Sequence, residues 1–261
     1  MNIAIYLNES RAELTRAWRT PAFIVPTLTL PLAFYSLFGI LLTAPRSGQA
    51  AYTLATYGVF AALGPALFGF GAGIAADRDA GILALKQVSP VPVGAFLCAR
   101  LTTAATFTMA VLLALYALAA WGGGVTLPAE RWLALMGVHL VGVAPFCLVG
   151  LCVGLRASGS VALALANILF VALAVLGGLW LPLFLFPAWL QQFALGLPTY
   201  HLGALALATV GGNFACSAAA GAVAACGETL PAGMHWVFLA AFTLALAAVA
   251  RHSWAHGREL H

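Results

Sequence analysis

Charge is what this sequence has least of. Asp, Glu, Lys and Arg make up 7% of its 261 residues, against roughly a quarter in a soluble domain. It has a single lysine, Lys86. With 63% of the residues hydrophobic, water cannot be the solvent for most of the surface, and the chain is expected to be integral to a membrane. The scarcity excludes several functions. The net charge of +4 comes from arginines at the ends of apolar runs, so there is no basic face for nucleic acid. No Gly-x-x-x-x-Gly-Lys-Ser/Thr motif occurs, so the chain has no P-loop with which to bind ATP itself. His139 is the only titratable side chain well inside an apolar run. That counts against an ion-driven carrier and against an intramembrane enzyme. His252 and His256 are four apart in a tail helix but lack a third ligand. No metal, and no cofactor held by this chain, is expected. Glu9 and Glu13 fall where a cleavable signal would need its apolar core, so the opening residues do not read as one.

What the sequence does have is long apolar runs. A hydrocarbon core about 30 Å thick needs about 20 apolar residues in helix. Six stretches qualify, at about 23–43, 51–76, 101–121, 132–155, 160–181 and 232–250, and none contains Asp, Glu, Lys or Arg. A backbone in lipid must satisfy its own hydrogen bonds, so all six are expected to be helices. Pro26, Pro31 and Pro65 lie within them and should bend them. The expected fold is therefore an all-α integral membrane protein, one transmembrane domain over residues 1–261.

Orientation follows from the basic residues. With the N-terminus in the cytosol, Arg11, Arg16, Arg19, Arg78, Lys86, Arg100, Arg156, Arg251 and Arg258 lie inside. Only Arg46 and Arg131 lie outside. Six spans then return the C-terminus to the cytosol.

Two stretches break the pattern of simple spans. Residues 2–19 place Ile3, Leu7, Leu14, Ala17 and Trp18 on one side of a helix and Glu9, Arg16 and Arg19 opposite, with Ile5 misplaced. That pattern fits a helix lying in the membrane interface; a short soluble helix packed on a partner would show it too. Residues 182–231 are apolar but interrupted by Pro182, Pro187 and Pro198 and ended by Gly211-Gly212. The pieces at about 187–196 and 199–210 are too short to cross. They fit half-helices that dip in from outside and return; two full spans are the alternative, opposed by the basic tail.

Among the short motifs, GAGIAAD at 71–77 meets the letter of a dinucleotide fingerprint but ends a membrane helix instead of following a strand. Gly69 and Gly73 there, like Gly150 and Gly154, are expected to let helices approach closely. Cys98, Cys147 and Cys152 are expected to be packing residues. Cys216 and Cys226 share the proposed outside loop, where they either form a disulfide or stand as two small unpaired residues.

The charges gather in AADRDAGILALKQVSPVP at 75–92. Asp77, Arg78, Asp79 and Lys86 stand there beside Leu83, Leu85 and Val88. Ser89 and Pro90 are placed to cap a following helix. An ordinary inside loop needs neither this length nor these apolar residues.

The stretch DRDAGILALKQVSPVPV at 77–93 resembles the acidic-Arg-acidic-x-Gly-x-Leu loop, ending in Ser/Thr-Pro-Val, of ATP-binding-cassette permeases of the ABC-2 type. RAWRTPAFIVPTLTLPLAFYSLFG at 16–39 is similar to that family's N-terminal elbow and first span. LPLFLFPAWLQQFALGLPTYHLGALA at 181–206 is similar to its Pro-rich segment before the last span. The chain departs from the family where ALALATVGG lacks an Arg that often follows that segment.

The resemblance implies an ATP-driven exporter of a hydrophobic or amphiphilic substrate. It also implies the bacterial cytoplasmic (inner) membrane and a second permease copy. Residues 77–97 would be a cytosolic coupling loop docking on a separate ATPase subunit that holds ATP and Mg. Asp77, Arg78, Asp79, Gly81, Leu83, Lys86, Ser89 and Pro90 would form or shape that contact. The second and fifth spans would line the substrate path, which offers Phe60, Phe68, Asn167 and Phe170; Asn167 could equally bond a neighbouring helix. A non-transporting membrane scaffold or sensor with the same fold is the alternative.

Overall fold

A chain with no water to satisfy its backbone is expected to be helical across its spans, and the described spans are helical. The structure, a computed structural model, describes residues 3–42, 48–89, 91–212 and 230–256, and among them there is no strand. Helix α1 is Ile3–Trp18. Helix α2, Pro21–Tyr35, runs on through a π-turn at Ser36–Leu41. Helix α3, Gln49–Ala66, a second π-turn at Leu67–Ala72 and α4, Gly73–Asp79, make one 31-residue span. A short α5, Ile82–Val88, precedes α6, Val93–Trp121. Helices α7, Ala129–Val141, and α8, Val143–Arg156, join at Gly142. After α9, Gly159–Leu176, come α10, Ala188–Ala194, and α11, Pro198–Val210, bent 86° from each other. Helix α12 is Ala232–His256.

Five of these units are long and apolar enough to cross a membrane, and α2 with its π-turn supplies a shorter apolar helix. They fall on the six expected runs, and α10–α11 falls on the expected broken pair. Two boundaries differ. The second span was expected to stop at 76 but continues to Asp79, so the acidic-Arg-acidic triplet is its last turn and not a loop. The fifth ends at Leu176, not 181, because Gly178 takes φ +75° and turns the chain away. Pro31 and Pro65 each lack a helical N–H, and a π-turn follows shortly after both. Cys216, Cys226 and most of the loop between α11 and α12 lie outside the described residues.

The second span is the axis of the bundle. Leu54, Tyr57, Phe60, Leu63 and Leu67 are fully buried along it, under α2, α6, α8, α9 and α11. In lipid such burial does not remove surface from water, so close packing and internal hydrogen bonds must hold the helices together. His139 provides one such bond set at 0% exposure. Its Nε2 lies 3.0 Å from the Ala55 carbonyl and its Nδ1 2.9 Å from the Tyr116 hydroxyl. A carbonyl can only accept, so Nε2 carries the proton and Nδ1 accepts from Tyr116. The ring ties α3, α6 and α7, and it fits because Gly58 has no Cβ to meet it.

Gly150 and Gly154 allow the close helix approach expected of them, but Gly69 does not. A Cβ on Gly69 would meet nothing within 4 Å, whereas Gly71, between the two expected packing positions, lies against Gly150. A Cβ on Gly154 would stand 2.7 Å from the Gly71 carbonyl oxygen. Gly73 makes room for the Arg100 guanidinium.

Candidate functional site: a charged corner and an aromatic cleft

The charges that the spans exclude collect at one end of the bundle. Glu13 is the buried residue of α1, while Ile3, Leu7 and Trp18 are exposed. A helix whose acid faces protein and whose apolar side faces outward is built to lie against lipid. Glu13 Oε1 is 3.1 Å from Nε of Arg100, itself only 5% exposed. Asp77 is 3% exposed and accepts from two arginines. Arg16 grips it with both terminal nitrogens, at 2.7 and 3.2 Å, and Arg100 Nη2 bonds Oδ2. Arg100 Nη1 donates to the Gly69 carbonyl at 2.6 Å. That carbonyl is available because the π-turn, closed by Gly73 N–H to the Phe68 carbonyl, passes over one acceptor as the α register resumes. Burial works against the charge on Arg16, but the Asp77 hydrogen bond and the charges of Glu13 and Asp77 outweigh it and raise its pKa.

Arg78 and Asp79 also bond back to the bundle, although Asp79 stays 46% exposed. Arg78 donates to the carbonyls of Leu155 at 2.8 Å, Gly154 at 3.3 Å and Ala157 at 2.6 Å, covering the orphan acceptors at the end of α8. Asp79 accepts from the Gly159 N–H at 2.6 Å, where α9 begins. The triplet thus fastens the end of the second span to α1, α6 and the α8–α9 turn.

Gly81, at φ +74°, reverses the chain into α5. Leu83 is buried, while Leu85 and Val88 are 69% and 85% exposed. Lys86 pairs with Glu9 of α1 and lies 4.7 Å over the Phe96 ring. Burial first, and the positive charge of Arg100 second, lower its pKa below the usual lysine value. Trp254 of α12 packs beside Leu83, Lys86 and Phe96. Ser89 donates to the Lys86 carbonyl and accepts from the Val91 N–H, so it ends α5; the cap position of α6 is Pro92. Pro90 lies outside the described residues.

Phe60, Phe68, Asn167 and Phe170 all line one cleft of about 420 Å³ between α2, the second span and α9. Its other walls include Thr27, Leu30, Pro31 and Leu163. Phe170 lies 4.7 Å from Phe60 and 5.5 Å from Phe68, centroid to centroid. Trp180 backs Phe60 at 5.2 Å. Asn167 donates one amide N–H to the Leu163 carbonyl of its own helix at 2.9 Å. The volume suits a small ligand, and the wall is mostly apolar with isolated polar groups.

Sequence reasoning missed the burial of Glu13 and Arg100. It also missed His201 and His235, whose Nδ1 atoms are 2.8 Å apart where α11 meets α12. A signal existed for Glu13, an acid inside an interfacial helix. Arg100 read only as a topology charge at the start of a span.

Such a bundle, with an outward-greasy entry helix, a broken helix pair and a cleft between its spans, defines a polytopic all-α membrane protein. Residues 9–202 match the family described as ABC-2 type transporter, and the chain belongs to that family. It is 27% identical over 208 residues to "Putative transport permease YvfS" of Bacillus subtilis (strain 168), covering 78% of this chain and 85% of that protein. The protein is a transporter permease subunit without an ATPase site of its own, and its family works with an ATP-binding-cassette ATPase.

Proposed function

We propose that this chain is the membrane half of an ATP-driven exporter in a bacterial cytoplasmic membrane, with both termini cytosolic. A hydrophobic or amphiphilic substrate moves outward through the cleft lined by Phe60, Phe68, Asn167 and Phe170. Two permease copies and two ATPase subunits make the working unit, with ATP and Mg held by the ATPases. The carrying observation is α5: a short helix at the end of the second span, anchored by buried Leu83 and by the Lys86–Glu9 pair, that holds Leu85 and Val88 exposed. Exposed apolar side chains on a braced helix fit a groove in a partner. Leu85 and Val88 make the contact. Asp77, Arg78, Asp79, Gly81, Leu83 and Ser89-Pro90 set its position. ATP-driven closure of the ATPase pair pushes α5, and the second span, continuous with it through Gly81, carries the push to the cleft. A disulfide between Cys216 and Cys226 belongs to this proposal only as a brace of the outside loop.

The test is copurification of the tagged chain from its own membranes, with ATP hydrolysis measured in the same sample. A stoichiometric P-loop ATPase, lost from the double variant Leu85→Asp/Val88→Asp while the melting temperature holds, supports the reading. An intact chain with no ATPase, or one whose ATPase persists in the double variant, overturns the docking surface.

A further inference from the structure

Beside the aromatic cleft lies a second, smaller cavity of about 130 Å³, lined by Glu13, Arg16, Thr103 and Arg100 among others. The two cavities share Thr20, Phe68 and Gly73 as walls. Together they run along the second span from the charged corner at Gly73 to Phe60, about 20 Å at 1.5 Å per residue. That is more than half of a hydrocarbon core of about 30 Å. One end is greasy and aromatic; the other is polar. Thr103 supplies an independent sign of a ligand. It is 6% exposed, lines the polar cavity, and its hydroxyl has no hydrogen-bond partner. A buried hydroxyl left so carries a cost that an occupant of the cavity would remove.

The charges decide which occupant. Two guanidiniums and two carboxylates meet here, and their partners are one another: Asp77 with Arg16 and Arg100, Glu13 with Arg100. The cluster is formally neutral. An anionic group would have to displace a carboxylate from arginines that already hold it, and a cationic group the converse. A zwitterionic head meets both signs at once without breaking either pair.

We infer that the polar cavity is the headgroup subsite for the substrate of the adjoining cleft, and that it takes an amphiphile with a zwitterionic head and a single alkyl tail along Phe68, Phe170 and Phe60. This rests on the reading of the cleft as the substrate path. Thr103, Arg16 and Glu13 line the wall that meets the head; Asn167 lies along the tail.

The experiment uses the full chain in lipid nanodiscs and three probes with one diazirine-bearing twelve-carbon tail. Their heads are phosphocholine, phosphate and trimethylammonium. Photolabelling of the peptides containing Phe60–Phe68 and Asn167–Phe170 is read by mass spectrometry. The phosphocholine probe is expected to label them at least threefold more than either charged probe. Thr103→Val should lower that labelling about threefold to tenfold, the range of one hydrogen bond, with an unchanged or raised melting temperature. Glu13→Gln leaves the cluster one unit positive and should move the preference to the phosphate probe. Equal labelling by all three heads, or labelling that ignores Thr103 and Glu13, overturns the headgroup subsite. The permease reading fails separately, by the absence of the ATPase in copurification. A chain that keeps its ATPase but shows no head preference therefore sinks only this inference.

Discussion

Within a dozen residues the chain puts its side chains to two opposite uses. At the end of α4, Asp77, Arg78 and Asp79 all reach back into the bundle, each bound to a different neighbour, although only Asp77 is buried. On α5, just past Gly81, Lys86 reaches back to a partly buried pair with Glu9, while Leu85 and Val88 face out. The contrast teaches that a charged signature in a membrane protein can mark the seat of a moving part and not its working face. The triplet holds the hinge still; α5 is what the hinge presents.

Graded substitutions along this segment should reproduce that division. Asp77→Ala should cost the most, about 3–5 kcal/mol, because it leaves the buried Arg100 and its neighbour Arg16 short of their shared acceptor. A thermal melt in detergent would read this as a large loss of folded protein; a wild-type melt would mean the corner is not structural. Arg78→Ala should follow at about 1.5–3 kcal/mol, since carbonyls at the end of α8 lose a charged donor. Gly81→Ala forces an L side chain to φ +74° and should cost about 1–2 kcal/mol. It should also weaken ATPase binding out of proportion, through a misplaced α5. Lys86→Gln should cost less than about 1 kcal/mol, as a single partly exposed pair on a short helix does. If Lys86→Gln destabilised more than Arg78→Ala, the division between seat and face would be wrong.

Much of this was legible in the sequence, for reasons that can be named. A span must be apolar for the whole bilayer depth, so the six runs announced themselves, and the prolines marked α10 and α11. The four residues assigned to the path do line one cleft, because Phe60 and Phe68 stand on the second span and Asn167 and Phe170 on α9, one turn apart along their helix. What stayed hidden was partnership. Arg100 looks like any arginine flanking a span, and nothing local tells that Gly73 leaves space for its guanidinium or that a π-turn frees the Gly69 carbonyl. The same limit blurred the glycines: Gly69 and Gly71 are equivalent on paper, and only the helix rotation set by the π-turn puts Gly71 against Gly150. Helix continuity was misjudged for a related reason. Asp77 and Asp79 look like residues that must end the helix, yet Arg16 and Arg100 at Asp77 and the Gly159 N–H at Asp79 give them partners in its last turn.

The charged corner also dictates an order of assembly. Arg16 emerges from the ribosome 61 residues before Asp77, and Arg100 follows Asp77 by another 23. At roughly 5–20 residues per second, α1 waits several seconds with Glu13 and Arg16 still hydrated, adsorbed on the membrane by Ile3, Leu7 and Trp18. Only when the third span arrives can the four charges close on one another. Helix α1 is thus not seated until the third span is, and the closing of this corner is a checkpoint early in biogenesis, before α7 to α12 are added.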